Sequence, residues 1–373
     1  MNIDEGGDLR LVLFEKQPQS KSDNDGGEKT HTEPGSDESR KPISLVVSSK
    51  ILCLASPVFK VMLTGNFREA REFRNLNASK EGQTEPYTIE LPEDNPLGMT
   101  NLLHLLHFNF DKIPETIAVK EIEYIAILCD KYQCAHILQY CGRVWINDWI
   151  EALDGNPPGD RLERNICRLL AFAYIAHLPL EFNRLAWLLV CTHNGPLLAA
   201  TGKVKEVLFN HPLLSQDVAR HIDTRRQVVC RLFHEAIAAP LNTKWKTLDG
   251  ACFGAAKAIG RYLRWLQNID IACNDDSFRH RNFATLFALT ESSDEASQAI
   301  RETVPQCTGY RCDCEQDRGI TNGKDLLQRL QDKLLPIKGY GKAFVCLDCL
   351  KTGGESRTEG NCKVPHTWEF EEW

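Results

Sequence analysis

The sequence has no long apolar run. No stretch reaches the roughly 18 consecutive apolar residues of a membrane-spanning helix. The first ten residues, MNIDEGGDLR, have neither a basic start nor an apolar core, so we expect no secretory signal peptide. These two absences predict a protein without a membrane partner that lies in the cytoplasm, the nucleus or both.

Basic residues are also fewer than acidic residues. Lys and Arg total 44 against 51 Asp and Glu, which gives a net charge of -7 and a pI near 5.9. Non-specific binding of nucleic acid needs a clustered basic surface. Short basic clusters begin at Arg220, Arg261 and Arg279, but each lies in an amphipathic helical pattern. We interpret them as solvated helix faces, which disfavours nucleic acid as a partner.

Familiar catalytic motifs are missing as well. The sequence contains no GxxxxGK[ST] phosphate loop, no GxSxG nucleophile turn and no HExxH metal motif. His104 and His107 share one face of a predicted helix, and we interpret them as packing or surface histidines. The sequence therefore predicts that the protein is not an enzyme.

Two apolar segments near the N-terminus predict a pair of strands. They are DLRLVLF, from Asp8 to Phe14, and ISLVV, from Ile43 to Val47. The segment between them, residues 16–42, has almost no apolar residues and cannot bury enough surface to offset its ordering entropy. We expect it to be a disordered insertion in the loop of a hairpin.

Two proline pairs mark predicted helix starts. Ser56-Pro57 and Asn95-Pro96 each combine an N-cap residue with a proline at the first helical position, where its missing N–H costs nothing. Apolar spacing predicts further helices, YTIEL predicts a strand, and a polar connection with a flexible patch is expected between Leu63 and Tyr87. The predicted elements are helices Ser49–Ala55, Pro57–Leu63, one from Pro96, Val119–Tyr132 and Ala135–Leu153, and strand Tyr87–Leu91. Their order predicts an α+β unit.

Three separated motifs in this unit resemble the BTB/POZ domain, particularly its divergent fungal branch. They are VSSKILCLASPVFKVML, IELPEDNPLGMTNLLHLLHF and EIEYIAILCDKYQCAHIL, and the resemblance covers about residues 7–153. It implies a small sheet flanked by helices and a role in protein–protein interaction. Many family members self-associate, and a subset bind cullin-3 as substrate adaptors of ubiquitin ligases. The chain departs from the family at Ser48 and Ser49, where a His-Arg pair is frequent, and in its long insertion.

Two further regions follow the predicted BTB/POZ domain. Residues 161–290 read as a mainly α-helical region with a break near Leu178-Pro179, similar to the extension that follows many BTB domains. The segments VKEVL, from Val204 to Leu208, and KDLLQRLQDKLLP are also predicted to be helical. Residues 300–373 form a small Cys-rich C-terminal unit, whose tail HTWEFEEW is predicted to dock as a strand. The alternative is that this tail is a short exposed motif for a partner.

The C-terminal unit contains the chain's one candidate metal site. Six of the fifteen cysteines fall in the last 67 residues, and two close pairs are Cys312-x-Cys314 and Cys346-x₂-Cys349. Four thiolate or imidazole ligands suit Zn²⁺, so these cysteines predict a zinc site that would stabilise a segment poor in core residues. The alternative ligands are Cys307, Cys362 and His366. The competing interpretation is a set of reduced thiols in a loose tail.

The prediction for the whole chain is a non-enzymatic scaffold or adaptor. Its BTB/POZ domain would self-associate or bind cullin-3, and its C-terminal part would bind a client. The alternative is a nuclear or transcriptional regulator whose Cys-rich C-terminus contacts nucleic acid. It ranks second because basic and acidic residues are nearly balanced from Ile300 to Trp373.

Overall fold

The computed structural model divides the chain into two compact units, residues 1–146 and 147–373. It describes residues 1–15, 41–78, 85–153, 160–199, 211–245, 253–269, 271, 280–291, 323–341, 344–353 and 360–364. Most of the predicted insertion, most of the predicted flexible patch, the predicted helix Val204–Leu208 and the tail from His366 lie outside these residues. The chain is α+β, as the sequence predicted.

The first unit is built on a three-stranded sheet. Its strands are β1 (Leu9–Phe14), β2 (Pro42–Val47) and β3 (Tyr87–Glu90). They lie in the order β2-β1-β3, with β1 antiparallel to β2 and parallel to β3. Because alternate residues of a strand point to the same face, Leu9, Leu11 and Leu13 are all fully buried. Pro42 corrects the predicted insertion boundary, since it begins β2 and pairs with Phe14.

Six α-helices of the described residues accompany this sheet along the chain. They are α1 (Ser49–Ala55), α2 (Pro57–Thr64), α3 (Arg68–Ala78), α4 (Pro96–Leu106), α5 (Val119–Lys131) and α6 (Leu138–Leu153), the last of which crosses the boundary between the units. Both predicted caps are confirmed: Ser56 Oγ accepts from Phe59 N at 3.1 Å, and Asn95 Oδ1 accepts from Gly98 N at 2.9 Å.

Helix α3 corrects the sequence analysis, which expected a polar connection there. Ala70 and Phe73 are its buried residues, and the Phe73 ring packs 5.7 Å from the ring of Tyr87. Arg68 and Glu72 form an ion pair one turn apart on the exposed side. This helix has few apolar residues, so its polar composition resembles that of a connection although its buried residues share one helix face.

The second unit is helical in its described residues. Its helices are α7 (Asp160–Ile175), α8 (Pro179–Thr192), α9 (Gln216–Trp245), α10 (Phe253–Asn268), α11 (Phe283–Glu291), α12 (Gly323–Tyr340) and α13 (Leu347–Thr352). The predicted break at Leu178-Pro179 is confirmed. Large side chains fill the core, and Tyr262, Trp265, Phe233 and Phe283 are all at least 98% buried.

One basic residue departs from the predicted solvated faces. Arg226, on α9, is only 2% exposed. Its Nε donates to the carbonyl oxygen of Gly195 and its Nη2 to that of Arg281, both at 2.7 Å, while the guanidinium lies 5.0 Å from the ring centre of Phe283. The interior accepts this charge because carbonyl oxygens and a ring face surround it.

Candidate functional sites: an apolar groove and a cysteine cluster

An open groove of about 490 Å³ lies on the first unit. Helices α1, α4 and α6 contribute to it, together with the turns that follow α4 and precede α6. Its lining residues are Ile51, Leu54, Ala55, Leu105, Leu106, Phe108, Phe110, His136, Ile137, Tyr140 and Cys141. Its surface is almost entirely carbon, so it is suited to apolar side chains rather than to a charged or highly polar ligand.

Four large side chains at this groove are far more exposed than their chemistry favours. Leu54 is 88% exposed, Tyr140 85%, Phe108 73% and Phe110 58%. The rings of Phe108 and Phe110 stand edge to face, with their centres 6.1 Å apart. Contiguous exposed apolar surface of this kind marks interaction sites on soluble proteins.

Phe108 has an unfavourable backbone conformation as well as an exposed ring. Its φ angle is +60°, in the left-handed region that costs a residue with a Cβ about 1–2 kcal/mol. The chain reverses there: Phe108 N–H donates to Leu105 O at 3.2 Å, and Asn109 N–H donates to His104 O at 2.9 Å. A glycine or asparagine would make this helix end at lower cost. Neither the strain nor the exposure of Phe108 stabilises the fold, so both favour a role in binding.

The histidines beside this turn are buried. His107 Nδ1 donates to Leu103 O at 2.8 Å, while its Nε2 accepts from the backbone N–H of Ser48 at 3.1 Å. Burial lowers the pKa of both His104 and His107 from the ordinary 6.5. Both positions are therefore consistent with the packing role that the sequence predicted.

In the second unit the structure brings three cysteines together. The Sγ atoms of Cys346, Cys349 and Cys362 all lie within 4.8 Å of one another, and Cys349 Sγ is 3.5 Å from Cys362 Sγ. Cys346 is the N-cap of α13 and Cys349 lies in its first turn, so the two thiols occupy one end of a short helix. This cluster could hold a metal ion.

The cluster combines one predicted pair with one of the predicted alternatives. Cys346 and Cys349 were expected to act together, and Cys362 is the alternative that joins them. Cys307, Cys312, Cys314 and His366 lie outside the described residues.

Two thiols of the cluster, those of Cys346 and Cys362, have raised pKa values. Burial raises the pKa of the Cys346 thiol. Burial, together with hydrogen bonds to Cys349 and Cys346, raises the pKa of Cys362 to about 12. A metal ion must therefore displace these protons in order to bind, because the thiolate is the ligand.

The groove was not predicted from the sequence. Leu54, Phe108, Phe110 and Tyr140 come from three separate segments that meet only in the fold. The one available signal was HFNF, from His107 to Phe110, where aromatic residues continue beyond the end of the α4 pattern.

Comparison with known proteins gives no match to a family model, to a curated protein or to a solved structure. Among the described residues, no helix is both long enough and apolar enough to cross a membrane. The features that indicate a function are therefore the sequence motifs and the geometry of the groove and the cluster.

Proposed function

We propose that the protein is a non-enzymatic scaffold or adaptor whose N-terminal part is a BTB/POZ-type interaction domain, acting in the cytoplasm or the nucleus. The element order supports this proposal: two antiparallel strands, two short helices divided by Ser56-Pro57, a strand parallel to the first, and further helices. The three resembling motifs fall on α1 and α2, on β3 and α4, and on α5 with the turn that follows.

The observation that carries the proposal is the groove with its exposed aromatic residues. An amphipathic helix can place side chains from successive turns into an apolar groove. We propose such a helix, belonging to a protein partner, as the occupant. The resemblance makes the N-terminal half of cullin-3 the first partner to test, with self-association measured alongside.

The deciding experiment titrates the full chain with the N-terminal half of cullin-3 by calorimetry, with light scattering for the oligomeric state. F108N removes the ring and supplies a residue that tolerates a positive φ angle. We expect it to preserve or raise stability while weakening binding at least tenfold. V61N is the matched control, because Val61 is 52% exposed on the same unit but does not line the groove.

Saturable binding at micromolar affinity or better by the wild type and V61N, but not by F108N, is the expected result. Absence of binding by the wild type would contradict the cullin-3 proposal. Equal binding by F108N and the wild type would contradict the role of the groove.

We further propose that the cysteine cluster binds Zn²⁺ in a structural role. Thiolate ligands select zinc over harder cations, and a Cys-x₂-Cys loop at one end of a short helix suits one edge of a tetrahedron. The bound ion would fix residues 344–353 and 360–364 to each other by joining the thiols that the two segments carry.

The test is the zinc content of the reduced full chain, measured by elemental mass spectrometry. We expect one zinc per chain in the wild type and in C53S, whose half-exposed thiol lies in the first unit. C349S should lose the metal. A wild type without zinc, or C349S with a full complement, would contradict the proposal.

A further inference from the structure

A buried carboxylate joins the two halves of the cysteine cluster. Asp348 lies between Cys346 and Cys349 in the chain and is 7% exposed. Its Oδ2 accepts a hydrogen bond at 2.9 Å from the backbone N–H of Lys363, the residue after Cys362. One side chain therefore links the segment that carries two of the thiols to the segment that carries the third.

The other oxygen of the same carboxylate contacts the turn between α7 and α8. Asp348 Oδ1 lies 3.2 Å from His177 Nε2. His177 has a φ angle of +52°, which is a strained backbone conformation. The strain therefore lies at the residue whose imidazole contacts the Asp348 carboxylate. A second link lies nearby, where Lys351 Nζ donates to Tyr174 O at 2.5 Å and stands 4.5 Å from the centre of the Tyr174 ring.

We infer that Asp348 is the positioning residue of the metal site. This inference rests on the zinc proposed above. Asp348 holds Cys362 within reach of Cys346 and Cys349, and it couples the metal-bound segment to the α7–α8 turn. Metal affinity then depends on a group that is not itself a ligand, because the carboxylate limits where the third thiolate can move before the ion arrives.

A simpler role for Asp348 is electrostatic support of α13, since an acidic residue in a first turn interacts favourably with the helix dipole. That role would alter stability slightly and would leave the geometry of the ligands unchanged. The two roles are therefore separated by a spectroscopic readout together with a conservative variant.

The experiment uses the reduced full chain, stripped of metal and titrated with Co²⁺ and then with Zn²⁺ against a competing chelator. Co²⁺ in a thiolate site gives visible d–d and sulfur-to-metal charge-transfer bands that report its geometry. We expect D348A to weaken zinc affinity about 10- to 100-fold and to alter the cobalt bands. D348N should recover most of the affinity, because its amide oxygen still accepts from the N–H of Lys363.

D217A is the control, since Asp217 is an exposed first-turn carboxylate on α9. It should match the wild type in affinity and spectrum. If circular dichroism shows that D348A is unfolded, H177A tests the same link from its other side, and we expect a smaller loss of affinity.

Two results would overturn the inference, and they are distinguishable. Wild-type affinity and spectrum in folded D348A, or in H177A if D348A is unfolded, would remove the positioning role while the zinc site stands. A wild type that binds neither metal would remove the zinc proposal and the inference with it.

Discussion

The backbone N–H of Ser48 donates a hydrogen bond to Nε2 of His107, 59 positions later in the chain, at 3.1 Å. Nδ1 of the same ring donates to Leu103 O. Because Nε2 accepts, the ring is neutral and carries its proton on Nδ1. This contact fastens the residue before α1 to the end of α4, the two helices that supply Leu54 and Leu105 to the groove.

The neutral ring predicts a pH dependence of stability. The folded state holds the pKa of His107 below 6.5, so the unfolded chain binds more protons as the pH falls through that value. The free energy of unfolding should therefore decrease as the pH falls below about 6.5, by up to about 1.4 kcal/mol per pH unit for each such histidine.

Urea unfolding at pH 7.5 and pH 5.5 measures this effect. His104, His177 and His221, whose pKa values are also lowered by burial, contribute to the same difference. H107Q should therefore destabilise the protein at pH 7.5 but reduce the difference between the two pH values. An unchanged difference in H107Q would show that His107 is not the group responsible.

Two glycines in helices should respond to alanine with opposite signs. A Cβ at Gly98, on α4, would lie 2.7 Å from Tyr124 Cβ on α5, so G98A must push the two helices apart. We expect it to cost about 1–3 kcal/mol despite the better helix propensity of alanine. A Cβ at Gly260, on α10, meets nothing within 4 Å, so G260A should gain about 0.5–1 kcal/mol. Urea unfolding of both variants measures the signs, and a stabilised G98A would contradict the close packing.

We expect even a conservative replacement of Arg226 to destabilise the protein. Lysine keeps the charge, but its single ammonium cannot reach both Gly195 O and Arg281 O in the fork geometry of arginine. We expect R226K to lower the free energy of unfolding by about 2–4 kcal/mol, because a buried carbonyl loses its donor. R220K is the comparison: Arg220 is exposed and paired with Asp217, so its loss should stay within about 0.5 kcal/mol. Similar losses in the two variants would contradict the buried role of Arg226.

We expect the zinc site to have a fourth ligand in addition to the three described cysteines. Cys362 and His366 are separated by three residues, a spacing close to that of paired ligands in small zinc sites. We expect H366A to weaken zinc affinity strongly, while C312S and C314S leave it within about threefold of the wild type. Competition with a chelating dye measures the affinities. Loss of zinc in C312S or C314S with an unaffected H366A would assign the fourth position to the upstream cysteines.

The sequence by itself determined the local elements of this protein. The Ser56-Pro57 and Asn95-Pro96 pairs predicted two helix starts that the structure confirms, because capping and the fixed φ angle of proline act within a few residues. The strands β1 to β3 were predictable from their apolar patterns and the break from Pro179, because these signals also lie within a few residues. The closely spaced cysteines indicated a metal site in the C-terminal region, because short spacing between thiols is a property of the sequence alone.

Only the tertiary structure decided which of these residues meet. Helix α3 has few apolar residues and is held by the contact between the rings of Phe73 and Tyr87. Arg226 is buried because two carbonyl oxygens accept its hydrogen bonds. Leu54, Phe108 and Tyr140 belong to three segments, and Cys362 joins Cys346 and Cys349 through a carboxylate that the spacing of cysteines does not reveal. Long-range contacts of this kind depend on how the elements pack, whereas the pattern along the chain reports what each element is.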